Sequence, residues 1–291
     1  MAQSSIEWTD STWNPVSGCT RASAGCDFCY AVPMTRRLEA MGQEKYTGLV
    51  NPGKSHFNGV TKTHADALLQ PFQRQTGTVY FVNSMSDLFH PGVDFEFVAA
   101  VFGVMASTPW HTYQVLTKRP ERAVDFFAWL GDDPVGRCLV AMEATGGISV
   151  DTSAETWPLD NVWMGTSVED DRVTDRIDAL RGVPADVRFL SCEPLIGSLD
   201  LGGRLDGIDW VIVGGESGPG ARPMKHEWAD AIRRECSDAS VAYFFKQTGR
   251  VLARELGLGN TKGSDAEVWP ESIRAIGDRE MPTAVSARLA G

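Results

Sequence analysis

Short runs dense in Val, Ile, Leu, Phe, Tyr or Trp recur along the chain at residues 13–18, 79–83, 113–117, 162–166, 187–191, 210–214 and 241–246. Most are four to six residues long without strict alternation, which predicts strands buried on both faces, as a covered parallel sheet requires. Stretches at 30–41, 95–107, 121–130, 170–180 and 227–237 lie between them and read as crossover helices. In the fourth of these, Val173, Ile177 and Leu180 recur at helical spacing. Asp171, Arg172, Asp175, Arg176 and Asp178 fill the other face, so the stretch reads as an amphipathic outer helix. Alternating strand and helix with right-handed crossovers predicts an α/β fold, a partial or complete parallel (βα) barrel. Residues 42–77 and 132–160 break the rhythm with Gly, Pro and polar positions, and are expected to be insertions or lids. The barrel is expected over residues 1–249, and residues 250–291 as a C-terminal extension packing on it.

Composition narrows the class. A chain of 291 residues with 43% hydrophobic content can bury one large core. No apolar run is long enough to span a bilayer and the first ten residues lack a signal-peptide pattern, so a soluble cytoplasmic protein is expected. Six cysteines are too few for a disulfide framework in a chain this long, and clustered thiols in a reducing compartment favour a metal. The net charge of −11 argues against broad adhesion to nucleic acid, while a local basic path stays open.

The predicted strands end in polar groups, where barrel folds collect their chemistry. The first runs into Gly18 and Cys19, and the second into Asn83, Ser84, Met85, Ser86 and Asp87. The third reaches Lys118 and Arg119, the fourth Ser167 and Glu169, and the fifth Cys192 and Glu193. The sixth reaches Gly214, Gly215 and Glu216, and the seventh Lys246 and Gln247. Cys19, Cys26 and Cys29 fall within eleven residues of one loop. Three thiolates can hold three irons of a cubane and leave the fourth open. A closed zinc site with His56 or His90 as fourth ligand is the competing reading, and incidental buried thiols are a third.

The cysteine loop after the first strand, with Phe28 just before the third cysteine, resembles the radical S-adenosylmethionine (SAM) superfamily. The spacing here is Cys-x6-Cys-x2-Cys, three residues longer in the first gap than the usual Cys-x3-Cys-x2-Cys. More narrowly, Trp8 to Cys19, Asn83 to Phe89, Leu116 to Pro120, Gly214 to Gly218 and Lys246-Gln247 resemble a phage-associated three-cysteine family of unassigned function. The resemblance implies a [4Fe-4S] cluster on Cys19, Cys26 and Cys29, with SAM on the open iron. It implies reductive cleavage to a 5′-deoxyadenosyl radical and an electron donor such as flavodoxin or ferredoxin. The substrate would be organic, with a nucleobase, nucleoside or nucleic acid as the first candidate. A non-enzymatic zinc- or cluster-binding module that docks a partner protein is the alternative.

By the same resemblance, Asn83, Ser84 and Asp87 stand where the SAM amino group is held, although the usual Gly-Gly-Glu motif is absent there. A polar helix start is the plainer reading of Ser86 and Asp87. Gly214, Gly215 and Glu216 could admit the adenine ring or simply make a tight turn. Ser167 and Glu169 are candidates for ribose or carboxylate contacts, or for the start of a helix. Cys192 is the candidate hydrogen-atom donor to a product radical, against a small apolar filler. Cys138 and Cys236 read as non-catalytic. Lys118, Arg119, Arg222 and Lys246 could meet an anionic substrate or pair with Glu169, Glu193 and Glu216.

Overall fold

A computed structural model of the chain describes Ser4, residues 6–150 and residues 156–282. Among the described residues the strands are β1 (Ser11–Trp13), β2 (Val16–Ser17), β3 (Lys62–Thr63), β4 (Val79–Val82), β5 (Thr112–Thr117), β6 (Val162–Ser167), β7 (Val187–Cys192), β8 (Trp210–Gly214) and β9 (Ala242–Gln247). The α-helices are α1 (Ala31–Ala40), α2 (Phe95–Ser107), α3 (Pro120–Leu130), α4 (Pro134–Gly146), α5 (Asp175–Arg181), α6 (His226–Ala239), α7 (Arg250–Glu255) and α8 (Glu271–Arg274). Seven strands form one parallel sheet in the order β1-β4-β5-β6-β7-β8-β9. That order follows the chain without reversal, which is the winding of a partial (βα) barrel and not of a doubly wound sheet. Among the described residues no helix is long and apolar enough to cross a membrane.

Two expectations about elements are corrected. The first barrel strand is Ser11–Trp13, pairing with Tyr80, Phe81 and Val82, and not residues 13–18. Val16 and Ser17 instead form a separate antiparallel ribbon with Thr63 and Lys62. Residues 132–160 contain the helix α4, which the scattered Gly and Pro had hidden. Those residues sit at its ends: Pro134 opens it, the Asp133 carboxylate accepts from the Gly136 amide at 3.0 Å, and left-handed Gly147 closes it. Gly103 of α2 lies so close to α4 that a Cβ there would stand 2.4 Å from the Cys138 carbonyl oxygen. Helix α4 is therefore packed backbone to backbone on α2, and is no lid.

The described residues divide into two compact units. The first takes in Met1–Ala22, Ala31–Gly165 and Gly182–Asp186. Its core has Trp13, Tyr80 and Tyr113 on one face of the sheet, with Tyr80 stacked on Tyr113 at 5.6 Å and Trp13 tilted against Tyr113 at 5.5 Å. Between α2 and α3, Phe126 is fully buried with Phe102 at 5.3 Å and Phe95 at 5.6 Å. Phe81 and Gln114 are register partners on the opposite face from Tyr80 and Tyr113, as the twofold side-chain period dictates.

The second unit takes in Ser23–Tyr30, Thr166–Arg181 and Val187–Gly291. Phe189, Trp210 and Phe244 pack on one face of β7, β8 and β9. Helix α6 covers the other face with Ala229, Ile232 and Cys236. Residues 278–280 run antiparallel beside β9, with Phe245 donating to the Asp278 carbonyl at 2.7 Å and Glu280 to the Tyr243 carbonyl at 2.9 Å.

Candidate functional site

In the first unit, Gly18 turns the chain into Cys19 with φ +86°, a region that glycine tolerates best. A Cβ there would lie 2.1 Å from the Val60 carbonyl oxygen, so the 42–77 segment is pressed against the approach to Cys19. Ser17 Oγ donates to the Lys45 carbonyl at 2.7 Å, which fastens the same approach. The segment expected as an insertion thus buttresses the cysteine loop.

Beyond Cys19, Arg119 at the end of β5 clamps the loop. Its Nη2 donates to the Thr20 carbonyl at 3.1 Å and to Thr20 Oγ1 at 2.9 Å, and its Nη1 lies 4.0 Å from Cys19 Sγ. Asp87 holds that guanidinium at 2.7 Å. The same carboxylate accepts from Thr117 Oγ1 at 2.7 Å, from the Phe89 amide at 3.0 Å and from the Lys118 amide at 3.1 Å. Four protein donors occupy Asp87, so it is not placed to receive an ammonium group as the sequence suggested.

Asn83 and Ser84 behave differently. Asn83 is buried in the left-handed region at φ 59°, where Asn is among the better tolerated residues. Its Oδ1 accepts from the Val16 amide at 3.2 Å, and its Nδ2 is a buried donor with no hydrogen-bond partner among the described residues. Ser84 Oγ donates to Asn14 Oδ1 at 3.1 Å.

His90, the proposed zinc ligand, has both ring nitrogens engaged. Nδ1 accepts from the Gly92 amide at 3.0 Å and Nε2 meets Thr20 Oγ1 at 2.9 Å. Burial, and then the Arg119 charge, hold its pKa below the ordinary imidazole range. His56 is exposed. Among the described residues no three His, Cys, Asp or Glu side chains converge as a bound metal ion requires.

In the second unit, the turn that carries Cys26 and Cys29 is tied down from two sides. Ser23 Oγ donates to Glu169 Oε1 at 2.6 Å, and Glu169 Oε2 is paired with Arg176 Nη1 at 3.1 Å. Arg176 also donates to the Ser167 carbonyl at 2.9 Å. It is buried, not on the solvent face where helical spacing had put it. On the other side Phe28 lies under Arg222, whose guanidinium carbon is 5.3 Å from the ring centroid. Arg222 grips both oxygens of Glu216, with Nη2 to Oε1 at 2.6 Å and Nε to Oε2 at 2.9 Å.

The paired glycines let the protein's own groups come close, backbone at Gly215 and a carboxylate at Gly214. A Cβ on Gly215 would stand 2.3 Å from the Thr248 carbonyl oxygen, and one on Gly214 would stand 2.9 Å from Glu193 Oε1. Glu193 also takes Lys246 Nζ at 3.0 Å and Ser191 Oγ at 3.3 Å.

Cys192 does not share that polar face. Register pairs it with Val213 and Tyr243 with Val211, and the Tyr243 hydroxyl donates to the Ala229 carbonyl of α6 at 3.4 Å. Cys192 is therefore turned to the helix side of the sheet and fully buried. Burial, then the neighbouring Cys236, raises its thiol pKa far above the ordinary range. Cys236 itself is pushed up to about 12 by burial. Cys192, expected as a hydrogen-atom donor, thus lies beneath α6. Cys19, Cys26 and Cys29 are by contrast half-buried, and none of the six thiols is in a disulfide.

Three residues that the sequence marked as cofactor-binding hold parts of the cysteine loop: Asp87 through Arg119, Glu169 through Ser23, and Glu216 through Arg222. The residues missed were Thr20, Ser23, Gly25 and Arg176. Ser23 and Gly25 had a signal, since they lie inside the lengthened first gap of the motif.

Residues 3–279 match the family described as "Protein of unknown function (DUF5131)", and the chain belongs to that family. A search of curated proteins finds no match. Among solved structures the chain is similar to a spore photoproduct lyase complexed with dinucleoside spore photoproduct, at 12% identity and a TM-score of 0.43. The similarity covers 80% of this chain, which spans 62% of the length of that lyase.

Proposed function

We propose that the chain is a radical SAM enzyme, with Cys19, Cys26 and Cys29 as ligands of a [4Fe-4S] cluster. The carrying observation is the thiol set itself. Three half-buried cysteines lie within eleven residues of one loop, while the other three are buried. The half-buried three share one short stretch of sequence, and Arg119 beside Cys19 and Glu169 beneath Ser23 each hold a part of it. A resident zinc ion is less well served, because both nitrogens of His90 are already used.

When bound, the cluster and SAM supply reductive cleavage of the sulfonium bond and a carbon radical, chemistry that belongs to the cofactor. The chain's part is to hold and orient. Arg119 places a guanidinium 4.0 Å from the Cys19 sulfur, where its donor would tune a cluster held there. The unsatisfied Nδ2 of Asn83 suits an acceptor oxygen, such as a carboxylate or ribose hydroxyl of SAM, better than its ammonium group. Ser84 beside it remains a candidate for the same role.

For the substrate we favour a small nucleobase or nucleoside over a polynucleotide. Of the cationic groups expected to meet phosphate, Arg119, Arg222 and Lys246 are all paired with carboxylates. The net charge of −11 also opposes a long polyanion. A flavodoxin- or ferredoxin-type electron donor would complete the system.

The test is anaerobic reconstitution, followed by iron and sulfide counting and a SAM cleavage assay under dithionite. Near four irons per chain and release of 5′-deoxyadenosine and methionine are expected. A colourless protein that takes up one zinc and no iron would overturn the proposal.

A further inference from the structure

We infer that the lengthened first gap of the cysteine motif is a docking segment, and that buried Glu169 is the positioning residue onto which it docks Cys26 and Cys29. The observation is a fit between three residues that nothing in the usual motif requires. Ser23 Oγ donates to Glu169 Oε1 at 2.6 Å within the buried interior. Gly25 passes directly over the same carboxylate, so that a Cβ would lie 2.3 Å from Oε1 and 2.6 Å from Cδ. Arg176 neutralises the other oxygen at 3.1 Å and is itself held by the Ser167 carbonyl at 2.9 Å.

Glu169 is only 1% exposed. A carboxylate so deeply buried persists only where charge and donors compensate it, and here Arg176 and Ser23 do so. The docked segment then turns directly into the ligand positions. Cys26 donates its amide to the Ser23 carbonyl at 3.0 Å, and Cys29 to the Cys26 carbonyl at 3.3 Å. Fixing Ser23 therefore fixes the backbone from which both thiols project. Ser23 and Gly25, the two residues that meet Glu169, both lie within the lengthened gap, which gives the departure in spacing a physical purpose.

The inference rests on the cluster proposal for what the dock is for, but the dock itself is testable in the metal-free protein. Hydrogen exchange read by mass spectrometry over residues 23–29 compares the full-length apo chain with Ser23→Ala, Glu169→Gln and Gly25→Ala. Ser23→Ala deletes one hydroxyl and leaves the Glu169 to Arg176 pair intact, so global folding is retained. Exchange in that segment should rise roughly tenfold in Ser23→Ala, as expected for losing a hydrogen bond to a charged group. It should rise further in Gly25→Ala, with β7 to β9 unchanged. In reconstituted protein, the same variants should show altered electron paramagnetic resonance signals at near-normal iron content, with Glu169→Gln milder than Glu169→Ala. Unchanged protection of 23–29 in both Ser23→Ala and Gly25→Ala would overturn the dock. Wild-type protein that binds no iron would instead sink the cluster proposal and leave the exchange result standing.

Discussion

Replacing Asp87 by Ala should destabilise the first unit and loosen Cys19 together, because one carboxylate serves both ends of the clamp. Asp87 is buried and accepts four hydrogen bonds, two of them at 2.7 Å from Arg119 Nη1 and Thr117 Oγ1. Breaking a buried ion pair by removing one partner costs about 3–5 kcal/mol, since a charge is left without compensation. Arg119 keeps 15% side-chain exposure and two acceptors on Thr20, which lowers the expectation to about 2–3 kcal/mol. Urea unfolding of the Asp87→Ala and Arg119→Ala variants and of the double variant isolates the pair. A coupling energy of at least about 1.5 kcal/mol is expected, because the second deletion removes a group the first has already orphaned. Alkylation of Cys19 in the apo protein should quicken in both single variants. Additive effects within about 0.5 kcal/mol, with unaltered Cys19 reactivity, would refute the clamp.

Further expectations follow from other sites. Cys19→Ala, Cys26→Ala and Cys29→Ala should each abolish iron loading, measured after anaerobic reconstitution. Cys192→Ala should load iron normally and show only a lowered melting temperature, since its thiol lies beneath α6. His111 is buried, its Nε2 lies 3.1 Å from the Pro71 carbonyl oxygen, and burial lowers its pKa. The unfolded chain therefore takes up a proton first on acidification, so stability should fall once the pH drops below about 6.5 and level off below the folded value. His111→Gln should flatten that slope in denaturant titrations at stepped pH. Phe126→Ala should cost about 3–5 kcal/mol by chemical denaturation, as its ring is fully buried among aromatic neighbours.

The apolar runs made β4 to β9 legible because strands of a covered sheet advertise themselves by composition. Helix α2 was legible to the residue, as an apolar stretch too long for a strand. The first strand was misplaced because Trp13 and Val16 belong to one apolar run yet serve different sheets. Helix α4 was missed because Asp133, Pro134, Gly146 and Gly147 read as disruption when they are caps. At the site, residue type and strand-end position picked out Asp87, Glu169 and Glu216 and the pairing of Arg222 with Glu216, but not Arg119 on Asp87 or Arg176 on Glu169. A carboxylate looks the same in sequence whether it faces a ligand or a buried arginine. Only the fold puts Arg176 inside, seven residues from Glu169 and on what spacing alone presents as a wet face.

The segment at residues 278–280 carries a consequence for solubility. β9 ends the sheet, and its outer rim of amides and carbonyls would be an open template for strands from other molecules. Phe245 and Tyr243 spend those groups on Asp278 and Glu280 instead, and the Trp210 indole adds a bond to the Glu280 carbonyl at 2.9 Å. Protein truncated before this latch would expose a sticky border and self-associate, however sound its cysteine loop.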